Sequence, residues 1–161
     1  GSGPQPHSFM WNQNYNGNPS TAGGWVGTTN TGSYSEHTIT FDLGKETKVT
    51  RLVTYQRGIY DNTSLVWTNA NLSEFELYGS NYPSADGAWS SWDLIMTCTI
   101  TKPAGSAADL LEIAKRGHEF SFDRNVPKYR YLRIKQKRTF TTAGNSRFFL
   151  AGIRLFENQN F

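Results

Sequence analysis

The segment 57–71, RGIYDNTSLVWTNAN, combines aromatic side chains with arginine, asparagine and aspartate. Sugar rings present patches of C–H groups that pack on aromatic faces, and their hydroxyls need polar partners. Tyr60 and Trp67 supply the aromatic faces, and Arg57 with the neighbouring amides supplies the polar groups. The segment therefore predicts a carbohydrate-binding site. The alternative left open by the residues is that Tyr60 and Trp67 fold back over the core as a lid.

Residues with the spacing of a catalytic site are scarce. The three histidines, His7, His37 and His118, lie far apart in the chain, and no G-x-S-x-G, H-E-x-x-H, P-loop or C-x-x-C motif occurs. A glycosidase needs two carboxylates about 5–9.5 Å apart. Glu74 and Glu76 share one strand face, but the alternation of residues marks that face as solvated. We therefore predict a binding domain, with a glycoside hydrolase as the least favoured alternative.

Six cations lie between residues 128 and 138, in a chain whose formal net charge is +3. Arg133, Lys135 and Lys137 alternate with Leu132 and Ile134, which predicts that the cations lie on the outward face of a strand. The simplest interpretation is that this face is solvated. The more specific interpretation is that it attracts an acidic polysaccharide or an anionic surface. The net charge is too small to indicate a nucleic-acid partner.

The length of 161 residues suits one domain, which can bury about 70% of its unfolded surface without a metal or a disulfide. The single cysteine, Cys98, lies in an apolar run and is predicted to be a buried small hydrophobe. No stretch approaches the ~20 apolar residues of a membrane span. We predict a tag remnant and loose N-terminus over residues 1–10, then one domain over 11–161.

Alternating apolar and polar residues predict seven strands, after a long loop region over residues 1–35. The predicted strands are 37–43, 49–56, 72–79, 93–100, 118–122, 128–140 and 147–157. The first two are expected to form a hairpin. One helix is predicted over 107–116, capped by Ser106 and ended by Gly117. Short antiparallel strands with uneven connections predict an all-β jelly-roll β-sandwich with one short helix.

If successive strands alternate in direction, the connections divide between the two ends of the sandwich. Connections 44–48, 80–92 and 123–128 share one end, and connections 57–71, 101–117 and 138–147 share the other with the segment before His37. The second set is longer, and long loops on a rigid scaffold are where binding residues concentrate. We therefore predict that a ligand is bound at this end by Trp25, Tyr34, Arg57, Tyr60, Trp67, Arg138 and Arg147.

Several motifs in a fixed order carry a family resemblance. They are ITFDLGKETKVTRLVTYQR, FELYGSN, GHEFSF, YRYLRIK and LAGIRLFE, within residues 36–157. This order resembles the galactose-binding-like sandwich, and more narrowly the discoidin (coagulation factor V/VIII type C) domains of Bacteroidetes surface lipoproteins. The resemblance implies a jelly roll with a non-catalytic role, often the binding of carbohydrate or a cell-surface partner through loops at one end.

The resemblance also implies a structural calcium ion, which many relatives hold between an early loop and a glutamate near the last strand. In this chain the position of that glutamate is Ala151 or Gly152, and Asn12 stands where an aspartate is expected. Calcium prefers carboxylate and carbonyl oxygens. No metal and no other cofactor is therefore predicted.

The combined expectation is a carbohydrate-binding or cell-surface adhesion module, extracellular or on a bacterial cell surface. Its partner would be a glycan or cell-surface polysaccharide, and it would belong to a longer parent protein with other domains. Nucleic-acid binding and membrane insertion are not expected. The main alternative is a structural or protein-docking domain without a sugar ligand, for which an exposed apolar patch at the loop end would be the sign.

Overall fold

The computed structural model describes residues 25–28, 37–60, 62–68, 70–141 and 147–157. It confirms the predicted all-β sandwich with one short helix. The elements in chain order are β1 (Trp25–Thr28), β2 (Thr38–Thr47), β3 (Val49–Tyr55), β4 (Leu72–Ser80), β5 (Asp93–Thr99), α1 (Ala107–Arg116), β6 (His118–Ser121), β7 (Tyr129–Thr139), β8 (Arg147–Leu150) and β9 (Gly152–Glu157). The predicted N-terminal segment 1–10 lies outside the described residues.

Two antiparallel sheets form the layers of the sandwich, with strand orders β2-β7-β4-β5 and β6-β3-β9. The predicted hairpin between the first two strands is wrong, because β2 pairs with β7 whereas β3 pairs with β6 and β9. The chain crosses from one sheet to the other at Lys48, between Thr47 and Val49. A short connection between two alternating strands fits a hairpin and a crossing equally well, so the local pattern could not separate them.

The strands β1 and β8 form a separate two-stranded ribbon. β1 lies in the region predicted to be loop, and the predicted last strand is divided into β8 and β9 at Ala151. The division follows from the bonding partners. The Phe149 N–H donates to Ala70 O (2.7 Å), while the Ala151 N–H donates to Tyr55 O (2.9 Å). The ribbon is therefore tied to the start of β4, and β9 continues into the second sheet.

The core lies between the two sheets and contains the inward-facing residues predicted from alternation. Ile39 and Phe41 of β2 and Phe75 and Leu77 of β4 are buried there, each at the predicted parity. Cys98 is also buried, as predicted, and burial raises the pKa of its thiol to about 12. The thiol is therefore protonated and unreactive at neutral pH.

Tyr129 is buried, although the alternation along β7 predicted it on the outward face. The Tyr129 ring lies over Gly79, and a Cβ at position 79 would overlap the ring. Glycine at this position therefore makes room for the tyrosine. The phenolic O–H donates to the carboxylate of Asp93 (3.0 Å), and burial is the main cause that raises the pKa of Tyr129 to about 12. The start of β7 is thus fixed to the start of β5.

The helix α1 has the predicted bounds and the predicted caps. The Asp109 N–H donates to Ser106 Oγ (3.2 Å), and the Ser106 N–H donates to the Asp109 carboxylate (3.2 Å), which completes a capping box. Gly117 ends the helix with φ 81°, a conformation that favours glycine. Among the residues that the structure describes, no helix has the length and apolar character needed to cross a membrane.

The strand registers assign the connections between β2 and β7, which the structure describes, to one of the two ends. Leu72 of β4 lies opposite Thr139 of β7, and Glu74 lies opposite Thr99, so β4 begins where β5 and β7 end. We call this the loop end; it carries His37, residues 56–60, 62–68 and 70–71 of one connection, the connection 100–117, and residues 140–141. The turn end carries Lys48 and the connections 81–92 and 122–128. The predicted grouping of the connections is confirmed.

Candidate functional site

Asn71 fixes the segment 57–71 from beneath. Its side chain is fully buried. Its Oδ1 accepts the Arg57 N–H (2.8 Å), and its Nδ2 donates to the carbonyls of Arg57 (3.1 Å) and Leu65 (2.9 Å). A buried amide with these partners ties the beginning of the segment to its middle and its end. The loop is therefore ordered by its own internal bonds.

Tyr60 is displayed on a tight turn within this segment. Gly58 begins the turn with φ 100°, and a Cβ there would lie 2.5 Å from the carbonyl oxygen of Asn62, so the turn requires glycine. The Tyr60 side chain is 57% exposed. The Lys115 Nζ of α1 lies 6.0 Å from the centre of its ring. An exposed aromatic face beside a cation is suited to an apolar ring that also carries polar groups.

Trp67 is only 4% exposed and lies where several loop-end connections meet. Its indole N–H donates to Leu110 O of α1 (2.9 Å), and its ring packs edge-on against His118 (5.0 Å) and Phe140 (5.6 Å). Its φ of 61° is rare for a bulky residue and signals a backbone held by its surroundings. No broad ring face of Trp67 is left for a sugar. Of the two aromatic residues that the alternative placed in a lid over the core, Trp67 therefore lies there and Tyr60 does not.

Gln56 and His118 complete a buried polar chain beneath Trp67. The Trp67 N–H donates to Gln56 Oε1 (2.6 Å), and Gln56 Nε2 lies 2.9 Å from His118 Nε2. Because the amide oxygen is already an acceptor, the amide N–H must donate to His118 Nε2, which requires a neutral imidazole. Burial lowers the pKa of His118 from 6.5 to about 4, which agrees with this assignment.

The other predicted site residues divide into two groups. Arg57 and Arg138 lie at the loop end: the Arg57 guanidinium carbon is 4.5 Å from the centre of the Phe149 ring, and Arg138 has a 77% exposed side chain that reaches Glu74 (3.4 Å). Trp67 and Arg138 thus share one end. The second group is not described at its side chains. Tyr34 lies outside the described residues, and so do the side chains of Trp25 and Arg147.

The β1–β8 ribbon carries the backbone of two of these residues. Trp25 is in register with Leu150, and Arg147 with Thr28, so the two predicted site residues lie at opposite ends of the ribbon. The ribbon touches the end of segment 56–71, since Phe149 bridges to Asn71. Trp25 and Arg147 remain predictions.

The described carboxylates near the loop end are already engaged. Asp109 caps α1, Glu112 binds Lys115 Nζ (2.9 Å) and Glu74 pairs with Arg138. Within the described ranges, no three His, Cys, Asp or Glu side chains lie close enough to hold a metal ion. Ala151 and Gly152 are buried and carry no side-chain oxygen. The described residues therefore do not fit the calcium site that the resemblance implied.

Sequence reasoning missed the polar residues that build this end. Gln56 and Asn71 look like ordinary loop amides, and their burial becomes visible only when the segment is folded. One available signal was that each amide lies directly beside a strand, where a buried polar group usually bonds the adjoining loop. Lys115 carried no signal, because its approach to Tyr60 depends on how α1 packs.

Comparisons with known proteins agree with this fold. The DUF5000 family model, described as a domain of unknown function, matches residues 11–156. The SusE-like protein BT2857 superposes with a TM-score of 0.80 at 23% identity, over 94% of this chain and 86% of that one. No curated protein matches the chain.

Two further solved structures have the same sandwich. The family 32 carbohydrate-binding module of Clostridium perfringens NanJ, solved with galactose, gives a TM-score of 0.59 at 17% identity, covering 96% of this chain and 86% of that one. An F5/8 type C domain from Bacteroides fragilis gives 0.53 at 17% identity, covering 84% and 74%. The chain therefore belongs to the DUF5000 family, and its fold is the galactose-binding-like β-sandwich of discoidin domains.

Proposed function

We propose that this domain is a non-catalytic carbohydrate-binding module that holds a glycan at its loop end. The observation that carries the proposal is Tyr60, an exposed aromatic ring on a loop that Asn71 fixes from beneath. A loop already ordered in the free protein loses little conformational entropy when a ligand binds. An exposed tyrosine held in this way is a ready platform for the C–H face of a sugar ring.

The proposed roles follow from the exposure of each side chain. Tyr60 stacks on the sugar, and Arg57 and Arg138 donate to its hydroxyls or carboxylates. Trp67 does not stack; it positions the Tyr60 loop against α1 through its indole N–H bond to Leu110. Further contacts are proposed from the segment before β2 and from the β1–β8 ribbon, by Trp25, Tyr34 and Arg147.

The neighbours support a galactose-type sugar as the first ligand to test, because the family 32 module named above was solved with galactose. The SusE-like neighbour and the Bacteroides fragilis domain support a place outside the cell or on a bacterial surface, within a longer parent protein. A docking domain without a sugar ligand would call for a broad apolar patch. Of the large hydrophobic side chains described as exposed, only Tyr60 lies at the loop end, whereas Tyr82 and Leu94 lie at the turn end.

The test is calorimetric titration with galactose and with galactose-containing oligosaccharides. The Tyr60→Ala variant is expected to bind about tenfold more weakly, because a stacked aromatic ring contributes about 0.5–1.5 kcal/mol beyond the area that it buries. Tyr82→Ala is the matched control, since Tyr82 is 85% exposed and lies at the other end of the sandwich. Equal affinities in the two variants would remove the loop end as the binding site.

A further inference from the structure

We propose that the outer face of the four-stranded sheet is a second binding surface, for a polysaccharide that carries carboxylate or sulfate groups. It is built on the cationic row, which we define as Arg133, Lys135 and Lys137 along β7, and Arg138 extends this row to the loop end. Arg138 is shared with the loop-end site proposed above, whereas Arg133, Lys135 and Lys137 take no part in that site. The inference rests on these three cations and therefore does not depend on glycan binding by the loops.

A bulge in β7 turns consecutive cations outward. Glu74 is in register with Arg138, and the next residue, Phe75, is in register with Gln136, so Lys137 is an extra residue in the ladder. Lys137 and Arg138 are both exposed. In a regular strand two successive side chains would point to opposite faces. The bulge thus adds a cation to a face that already carries Arg133 and Lys135.

Aromatic rings lie beside the row. A short helical turn, Trp89–Ser91, lays the half-buried Trp89 on the outer face, with its ring centre 4.7 Å from that of Tyr78. Lys135 Nζ is 4.7 Å from the centre of the Trp89 ring, and the Arg133 guanidinium carbon is 5.2 Å from it. Aromatic surface next to cations is the combination that an acidic sugar ring needs, since it is apolar on one face and charged at its edge.

The cations of the row already have partners: Arg133 donates to Thr40 Oγ1 (2.9 Å) and to Gly87 O (3.1 Å), and Lys135 is in register with Glu76. Lys137 lies 3.3 Å from Glu76, and Arg138 lies 3.4 Å from Glu74, longer than the 2.9 Å of the Arg51–Glu119 pair on the other sheet. Exposed ion pairs of this kind contribute little to stability, so an anionic ligand can replace the glutamate.

Glu76 also has a second partner, because it accepts the Tyr78 O–H (2.8 Å). Burial by itself raises the pKa of Glu76, but the hydrogen bonds from Tyr78 and Lys137, together with the charges of Lys137 and Lys135, outweigh it and lower the pKa. On the β2 side the row is flanked by Thr40 and Thr38, which are neutral hydroxyl residues in register with Arg133 and Lys135. Asp42, the next exposed residue on this face of β2, is paired with Arg130 (2.9 Å).

The pattern favours a polysaccharide over nucleic acid. Phosphate tracking needs clustered cations and a strongly basic surface, whereas here Glu74 and Glu76 lie beside the cations. An acidic sugar chain can place its carboxylates on the cations and its ring faces on Trp89. The formal net charge of +3 is modest, as expected for a local stripe.

The probe is polygalacturonate, followed by affinity electrophoresis and titration, with neutral galactan as the comparison. The double variant Lys135→Gln/Lys137→Gln is expected to bind polygalacturonate about tenfold more weakly, because it removes two charge contacts. Lys45→Gln/Lys128→Gln is the matched control, with the same loss of charge at two exposed lysines at the turn end. Added NaCl should weaken binding by the parent protein.

The outcomes separate this surface from the loop end. If the inference is right, Tyr60→Ala keeps its affinity for polygalacturonate, and Lys135→Gln/Lys137→Gln keeps its affinity for neutral galactose ligands. Equal polygalacturonate binding by the two lysine double variants would overturn the inference, and so would the absence of binding by the parent protein. Single-stranded DNA binding as tightly as polygalacturonate would also overturn it, because it would indicate unselective attraction of polyanions.

Discussion

The two ends of the sandwich are held by different kinds of interaction. At the loop end, buried groups of Asn71, Gln56 and Trp67 bond the connections internally. At the turn end, exposed charges do this work: the Arg130 guanidinium donates twice to the Asp42 carboxylate (2.9 Å each), and Lys48 Nζ donates to the carbonyls of Arg124 (2.7 Å) and Val126. Water can replace the exposed bonds but cannot reach the buried ones. The longer loops are therefore the more rigidly fixed, which suits a binding site.

Removing Trp67 should have the largest effect on this contrast. Trp67→Ala is expected to lower the free energy of unfolding by about 3–5 kcal/mol, since it leaves a cavity beneath the loop. Trp67→Phe keeps ring contacts with His118 and Phe140 but loses the indole N–H bond to Leu110, so it should cost less. Denaturant titration gives both values. A cost below about 1 kcal/mol for the alanine variant would contradict the central place of Trp67.

Asn71→Ala should have the next largest effect, about 3 kcal/mol, because it removes the three hydrogen bonds that this fully buried side chain makes to the Arg57 N–H and to the carbonyls of Arg57 and Leu65. The control is Asn62→Ala in the same segment, where the exposed side chain accepts only the Ser64 hydroxyl (2.6 Å). Urea unfolding of both variants measures the difference. Similar losses would show that the segment is not fixed from beneath.

Acid should weaken the loop end through His118. Its pKa falls from 6.5 to about 4 on folding, so the folded state binds the proton less tightly than the unfolded chain. The contribution of neutral His118 is therefore complete above pH 6.5 and is lost as the pH falls through 4, by about 3 kcal/mol. His118→Gln should flatten this part of the pH profile. Unchanged pH dependence in the variant would contradict the neutral, amide-bonded imidazole.

Breaking the turn end should have the smallest effect. Arg130→Gln removes the paired charge of Asp42, whose pKa is held below its ordinary value mainly by the hydrogen bond from Arg130. Because both groups are exposed, the change in stability should be close to the error of the measurement and should vanish at high salt. Thermal unfolding of the parent and the variant at low and high NaCl makes the comparison. A loss as large as that of Asn71→Ala would abolish the contrast between the ends.

Much of the frame could be predicted from the sequence because it depends on local periodicity and caps. Ile39 and Phe41, or Phe75 and Leu77, mark one strand face whatever the strand pairs with. Ser106 and Gly117 mark the two ends of α1, because a serine side chain caps the first turn of a helix and glycine adopts the conformation that ends one. The grouping of connections at two ends followed from alternating strand directions alone.

The remainder depends on partners far away in the chain. The crossing at Lys48 and the pairing of β1 with β8 leave no local trace. Tyr60 and Trp67 are both loop aromatics in one segment, yet one is exposed and the other buried, because the buried side chain finds Leu110 and His118 on other elements. Sequence alone could propose the segment as a site but could not assign the roles within it.

The most direct test of the account is an amide NMR titration of the full chain with a galactose-containing oligosaccharide. If the loop end binds the glycan, the shifted resonances should cluster at Gly58, Tyr60 and Ser64 and at Lys115 of α1, with the turn-end residue Tyr82 unchanged. Shifts confined to the connection 81–92, or no shifts at all with ligands that bind by calorimetry, would contradict glycan recognition by the loop end.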